Sequence, residues 1–481
     1  MRATNRTVFV SGNFNILHPG HLRLLRFARE CGNHLIVGVQ SDRLAGEGAH
    51  VPEQLRYESV QSNAWVDEVI LIDEQLVDVL RRIKPDIIVK GKEHENSFNV
   101  ELIALNEYGG QLLFNSGEST FSSLDLIRKE FREFEPGSIH LPREFMARHS
   151  ISSGKLIKLI DNFSKLKICV VGDLIVDEYI TCQPLGMSQE DPTIVVTPID
   201  SMQFIGGAGI VAAHAAGMGA NARFVSVTGA DAARGYALSR LQEAGVHTTL
   251  LVDESRPTTL KQRYRSNGKS LLRVSHLHQS AISKSLQNKM LESLEDAMDG
   301  VDVLVFSDFN YGCLPQSMVD QVILMARSRR ITLAADSQSS SQVGDVSRFR
   351  GMDLLTPTER EARISLRNHE DGLVIISQQL RRQADAHNLL LKLGEEGLFI
   401  HNGDSSDHEW QTDRLDPLNA APKDVSGAGD SLLIASAMTL ASGGDLWDAA
   451  CIGSLAAAVQ VGRVGNTPIH RGELLKEIDA I

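Results

Sequence analysis

Residues 424–438 read DVSGAGDSLLIASAM. Ser426, Gly427, Ala428 and Gly429 carry little or no side chain, so consecutive backbone amides stay bare. An apolar helix begins immediately afterwards, and its dipole adds to those amides at one point in space, which is where an anion binds. Asp430 stands at the opening of that helix. A carboxylate there can cap the helix, but a cap does not call for Gly-Ala-Gly in front of it. Beside a bound phosphate it can instead accept a hydroxyl proton during phosphoryl transfer. The stretch predicts a phosphate cradle with a base at its edge.

Around this string, short apolar runs alternate with helical patterns from residue 166 onward: KICVVGDLIVDEYI, RFVSVTG, DVLVFSDF, ITLAAD, MDLLTP and GLFIHN are strand-like. Such alternation predicts an α/β domain. Early in it lies a β-rich piece, PTIVVTPIDSMQFIGG, and then KQRYRSNGKSLLRV, a hairpin whose NG pair suits a type I′ turn.

From residue 7 to about 130 the same rhythm appears on a smaller scale. TVFVSG, HLIVGVQS, DEVILID, PDIIVKG and GQLLFN read as strands, with helical patterns between them, which predicts a doubly wound parallel sheet. Just past the first strand comes HPGH, with His18 and His21 around a proline and a glycine. Zinc would need further ligands, and no Cys or His cluster accompanies the pair. A helix N-terminus at the carboxyl end of a first parallel strand is a ligand position, and imidazoles there can donate to phosphate oxygens. Residues 131–165 break the rhythm, being charged and without strand alternation, and read as a helical connector.

Bulk properties narrow the classes. Hydrophobic residues make up 42% and charged residues 23% of 481, ordinary globular values for a chain of two or three domains. A net charge of −13 without a basic block argues against nucleic acid as a partner. Five scattered cysteines without CxxC spacing argue for reduced thiols rather than a disulfide framework. No run is apolar enough to span a bilayer, and the expectation is a cytoplasmic protein with no membrane partner.

The motifs resemble known families. SGNFNILHPGHLRLLRFAR, VKGKEH at 89–94 and GESTFSS at 117–123 resemble the HxGH nucleotidyltransferases of the cytidylyltransferase-like branch. That resemblance implies His18 and His21 as stabilisers of an α-phosphate. It also implies Lys90 as a phosphate contact, Lys92 as a weaker one, and Ser119 and Thr120 as holders of the outgoing phosphates. An ordinary helix cap is the competing reading of Ser119 and Thr120.

Residues 166–481 resemble the ribokinase-like carbohydrate kinases, whose second signature is commonly DTxGAGD. The resemblance implies Asp430 as catalytic base and Gly427, Ala428 and Gly429 as anion cradle. Gly394, in LKLGEEG, then falls on a nucleotide-side loop. Asp173 and Asp177 become candidates for sugar hydroxyls, Gly206 and Gly207 line the sugar pocket, and Glu361 is linked to Mg2+ through water. Lys261 and Arg273 read equally as phosphate contacts or as exposed hairpin charge. The β-rich piece matches the small lid that such kinases place over the sugar, often shared across a homodimer. Three departures stand out: Ile210 and Thr358 replace asparagines, and ADSQSSSQ at 335–342 replaces a segment that commonly carries Asp-Pro-Lys.

The combination resembles the bifunctional enzymes of ADP-heptose synthesis, with the two halves in reversed order. It implies domains at 1–130 and 166–481. The implied reactions are phosphorylation of a heptose 7-phosphate-like sugar phosphate by ATP and nucleotidyl transfer from ATP or CTP to a sugar 1-phosphate. The alternatives are a CTP-using enzyme for another sugar or polyol phosphate, or one silent, regulatory domain.

Overall fold

A computed structural model describes residues 6–479 apart from 16, 18, 92–98, 116–138, 189, 192, 267–268, 340–343 and 404–410. The chain divides into two compact units, 1–135 with 368–378, and 136–367 with 379–481.

In the first unit five strands, β1 (Thr7–Gly12), β2 (His34–Gln40), β3 (Glu68–Ile72), β4 (Ile87–Gly91) and β5 (Gln111–Asn115), form a sheet of order 3-2-1-4-5. All pairs are parallel. Strand β1 is buried on both faces, as a central parallel strand must be. Val8 and Val10 pack with Leu25 and Val60 on one side; Phe9 packs with Val79, Leu80 and Leu105 on the other. Chain order reverses between β1 and β4, which places the switch point beside the helix Pro19–Cys31.

The second unit is built on a nine-stranded sheet. Its strands are β6 (Lys167–Gly172), β9 (Asn221–Thr228), β10 (His247–Val252), β13 (Val303–Asp308), β14 (Thr332–Ser337), β15 (Leu354–Leu355), β16 (Asn388–Lys392), β17 (Leu398–His401) and β18 (Thr412–Leu415). Their order is 10-9-6-13-14-15-16-17-18, parallel up to β16 and antiparallel beyond it. Over one edge of the site lies a separate four-stranded sheet of order 12-11-7-8. It comprises β7 (Leu174–Met187), β8 (Ile194–Gly207), β11 (Thr259–Ser266) and β12 (Lys269–His276). This is the expected lid, and β7 follows β6 after a single residue, Asp173. The NG pair of its hairpin, 267–268, lies outside the described residues.

Two helices, Ala428–Ala441 and Leu446–Val461, are apolar nearly all round and buried, which is what such a composition requires. Residues 139–165, read as part of a connector, carry the helices Arg143–Arg148 and Ser153–Asn162. Phe145, Leu156, Ile160 and Phe163 from this segment join the core of the second unit. Among the described residues no helix is long and apolar enough to cross a membrane.

Candidate active sites

The predicted cradle opens the helix Ala428–Ala441, with Gly427 at its N-cap in the left-handed region at φ 76°. A Cβ there would lie 2.4 Å from Asn466 Oδ1, so both backbone and space require glycine. Asp424 ties the approach to the cradle: Oδ1 accepts from the Ser426 amide at 3.0 Å and Oδ2 from the Gly465 amide at 3.1 Å. The lid reaches the same point. Tyr179 Oη donates to Asp424 Oδ2 at 2.8 Å, and Arg263 Nη1 donates to Ser426 Oγ at 2.7 Å.

Asp430 lies in the first turn of the helix and is buried. Burial, reinforced by Asp336, pushes its carboxyl up to about 7, against the opposing pull of Lys392 and Lys261. A carboxylate poised near neutrality is matched to general-base work. Lys392, the last residue of β16, donates to Asp336 Oδ2 at 2.6 Å. Sequence reasoning missed this pair. Asp336 lay inside ADSQSSSQ, and Lys392 inside LKLGEEG, but nothing in either string announced the other. Gly394 follows two residues later at φ 64° with open space around it.

On the lid side, Asp177 on β7 is buried. Its Oδ1 has no hydrogen-bond partner among the described residues, although Arg263 Nη2 stands 3.6 Å away. Gly206 lies against Asp177, a Cβ there falling 2.3 Å from its Oδ2, and Gly207 opens the helix Ala208–Gly217. Asp173 is placed differently from Asp177. Its Oδ2 accepts from the amides of Phe309 (2.8 Å) and Tyr311 (3.3 Å) and its Oδ1 from that of Cys313 (3.3 Å), so it holds the loop after β13. Lys261 Nζ sits over the rings of Phe309 and Tyr311 at 5.1 and 5.2 Å. Arg273 is exposed on β12, opposite Arg263. Ile210 is wholly buried apolar core.

Glu361 forms a capping box with Thr358: its Oε2 accepts from the Thr358 amide at 2.8 Å and its Oε1 from the Ser339 amide at 3.0 Å. Each oxygen keeps one further lone pair, which fits a carboxylate that meets a cation through water. Among the described residues no cluster of three or more acidic, His or Cys side chains could hold a metal alone. Magnesium takes one or two carboxylates and completes its shell with phosphates and water.

In the first unit His21 lies in the first turn of the helix Pro19–Cys31, its ring 5.0 Å from that of the buried Phe14. Lys90, near the carboxyl end of β4, pairs with the buried Glu101 at 2.8 Å. Both therefore sit at the switch point. The wholly buried Arg56 braces its rim, donating to Val51 O, Asn13 O, Gln40 O and Asp42 Oδ1 at 2.6–2.8 Å. His18, Lys92, Ser119 and Thr120 lie outside the described residues.

Comparison with known proteins agrees with both halves. The pfkB family carbohydrate kinase model matches residues 165–470, and the cytidylyltransferase-like model matches 9–129. The bifunctional protein HldE of Helicobacter hepaticus is 31% identical over 317 residues, covering 65% of this chain and 64% of that protein. The bifunctional protein HldE of Nitratiruptor sp. is 31% identical over 304 residues, covering 63% and 62%. The chain thus spans less than two thirds of the length of these curated relatives. Phosphofructokinase-2 from Escherichia coli superposes with a TM-score of 0.53 at 16% identity, over 66% of this chain and 99% of that one. Arabidopsis thaliana ribokinase does so with 0.52 at 18%, over 65% and 98%, which establishes a shared fold. The chain belongs to the pfkB family of carbohydrate kinases and carries a cytidylyltransferase-like domain ahead of its kinase unit.

Proposed function

We propose that the chain is a bifunctional enzyme of nucleotide-sugar synthesis. Its carboxy-terminal unit, 166–481, phosphorylates a heptose 7-phosphate-like sugar phosphate with ATP. Its amino-terminal unit, 1–130, transfers a nucleotidyl group, AMP in this reading, to a sugar 1-phosphate. The observation that carries the kinase half is the buried carboxyl of Asp430 directly behind the Gly427 cradle. The attacking sugar hydroxyl gives its proton to Asp430 as its oxygen bonds to the γ-phosphorus and the bridging P–O bond breaks to release ADP. Amides of 427–429 face the transferring phosphoryl, where developing charge needs fixed donors. Asp177, with an unpartnered oxygen, fits a sugar hydroxyl; Gly206 and Gly207 keep the backbone close, and Lys261 and Arg273 supply charge for the substrate phosphate. Gly394 belongs to the nucleotide side.

In the amino-terminal unit the sugar-phosphate oxygen attacks the α-phosphorus and pyrophosphate leaves. His18 and His21 donate to the α-phosphate, while Lys90, Ser119 and Thr120 hold the outgoing phosphates. In the carboxy-terminal unit Mg2+, with Glu361 reaching it through water, would supply charge neutralisation on the ATP. The likeness to bifunctional HldE proteins supports pairing the two reactions. The outer half of the lid exposes Leu185, Met187, Ile199 and Met202, which supports a homodimer closed through this sheet. The reading places the protein in the cytoplasm, with small-molecule partners and no nucleic acid or membrane partner.

The test crosses ATP and CTP with heptose 1-phosphate and a panel of other sugar and polyol phosphates, following pyrophosphate release. A parallel assay follows ADP formation from ATP with heptose 7-phosphate. Turnover in both with ATP supports the reading. Turnover with CTP alone, or only with another phosphate, moves the enzyme to a different glycan, and no pyrophosphate from any pair removes the amino-terminal assignment.

A further inference from the structure

We infer that Lys392 is a positioning residue for phosphoryl transfer: locked to Asp336 beneath the glycine cradle, it supplies the positive charge that lets Asp430 stand ionised beside a second buried carboxylate. The inference rests on Asp430 being the proton acceptor.

Strands β14 and β16 flank the two-residue β15, and across it Lys392 Nζ reaches Asp336 Oδ2 at 2.6 Å. The same ammonium lies against Gly429, 3.1 Å from where a Cβ would stand, one residue before Asp430. Both partners of the pair are nearly enclosed, with 14% and 3% of their side chains exposed. The other oxygen of Asp336, Oδ1, is buried and has no hydrogen-bond partner among the described residues. Two carboxylates in one dry site do not both ionise unless a cation compensates them.

The charged groups acting on Asp430 are Asp336 from β14, Lys392 from β16, Asp177 from β7 and Lys261 from β11. Of the cations, Lys261 is also drawn to the rings of Phe309 and Tyr311, and Arg263 stands by Asp177. Asp308, from the adjoining β13, pairs with Arg348 at 2.9 Å. From the packed helix Ala208–Gly217 the titratable group is His214, which burial keeps neutral by pushing it down to about 3. From Leu446–Val461, Asp448 pairs with Lys155 at 2.6 Å, and burial pushes the Cys451 thiol up to about 12. Lys392 is thus the cation that is locked to Asp336 and also lies against Gly429, one residue before Asp430. Burial opposes its charge, but Asp336, Glu361 and Asp430 outweigh burial and hold it above the ordinary lysine value.

The experiment measures kcat/KM for ADP formation against pH in the full chain, a profile that reports groups of the free enzyme. It uses the wild type, K392M, K392R, D336N and the double variant K392M/D336N, with melting temperatures confirming that each is folded. Substrate phosphate ionisation is common to all and cancels. The acid limb is expected to move up by about one pH unit or more in K392M, tenfold in rate per unit on that limb. It moves down in D336N, stays near wild type in K392R, and returns toward wild type in the double variant. Loss in K392M that is equal at every pH, or a double variant no better than K392M, would overturn the inference, because a lysine acting directly on phosphate is not rescued by removing Asp336. Wild-type chain that forms no ADP with any sugar phosphate sinks the kinase reading instead. Ionisation of Asp430 is then read from the infrared band of its protonated carboxyl, identified by its loss in D430N. That midpoint must still rise in K392M, and an unmoved midpoint defeats the inference on its own.

Discussion

The phenol of Tyr179 donates to Oδ2 of Asp424 at 2.8 Å, joining a lid strand to the loop that leads into the phosphate cradle. The two residues are 245 positions apart. Burial pushes the Tyr179 phenol up to about 12, so its hydroxyl remains a donor across the working pH range. Arg263 and Arg265 flank the ring at 5.1 and 4.9 Å, and Arg263 reaches Ser426 as well. Lid position and cradle geometry are therefore mechanically linked. Tyr179→Phe keeps the ring and removes the link. A hydrogen bond to a charged group contributes about 1.5–3 kcal/mol. The expected result is a KM for the sugar substrate raised roughly tenfold or more, with the melting temperature lowered by several degrees. Steady-state kinetics at fixed ATP checks it, and an unchanged KM would separate lid from cradle.

Asp430 carries a signed prediction about stability. Its folded carboxyl titrates at about 7, above the unfolded value, chiefly through burial and then Asp336. Between the two values the folded state binds the extra proton. The stabilising contribution is therefore full at low pH and is lost as pH rises through about 7. Asp430→Asn should melt higher than wild type at pH 8 and close to it near pH 4, by about 2–4 °C for each kcal/mol regained. The same variant should lose roughly 10²–10⁴-fold in ADP formation. Calorimetry at the two pH values decides; a higher melting point at pH 4 and not at pH 8 reverses the sign and refutes the burial argument.

Gly427→Ala tests the cradle itself. The left-handed φ of 76° and the 2.4 Å approach to Asn466 Oδ1 both penalise a Cβ. Left-handed backbone costs a non-glycine residue about 1–2 kcal/mol before any clash. Melting should drop by several degrees, and ADP formation should fall at least tenfold because the amides turn away. Pyrophosphate release by the other unit should be unaffected.

At the amino-terminal site His21→Ala should remove most pyrophosphate release, roughly 10²-fold or more, while leaving ADP formation intact. Lys90→Met carries a second consequence. It leaves Glu101, 2% exposed, as a buried carboxylate without its cation. Breaking one side of a buried pair costs about 3–5 kcal/mol. The first unit should therefore melt earlier in Lys90→Met, and Lys90→Met/Glu101→Gln should recover that stability without recovering activity. Recovery of both would show Lys90 to be structural.

How much of this was legible beforehand varies by element. The five parallel strands of the first unit were read from apolar runs such as TVFVSG and PDIIVKG, which appear as β1 and β4. The β-rich piece and the hairpin were read from composition and the NG pair, and the resemblance to carbohydrate kinases implied that they form a lid. The cradle was legible because bare amides, a following apolar helix and a nearby carboxylate are all local. Asp173 and Asp177 looked alike in GDLIVDEYI, yet the fold gives them different hydrogen-bond surroundings. Asp173 meets three amides 136–140 residues away, and Asp177 keeps an open oxygen.

By itself the sequence determined what is short-range: strand and helix periods, the lid hairpin, the glycine cradle and the helix-opening carboxylate, since each depends on neighbours within a few residues. It also marked where the chain departs from its family, at Ile210, Thr358 and 335–342. Tertiary structure alone decided which charges share a site. Strand order brings Asp336 and Lys392, 56 residues apart, together beneath Gly429, and burial then sets the ionisation of Asp430. Proton affinity depends on distance and dielectric in space, and neither is written along a chain.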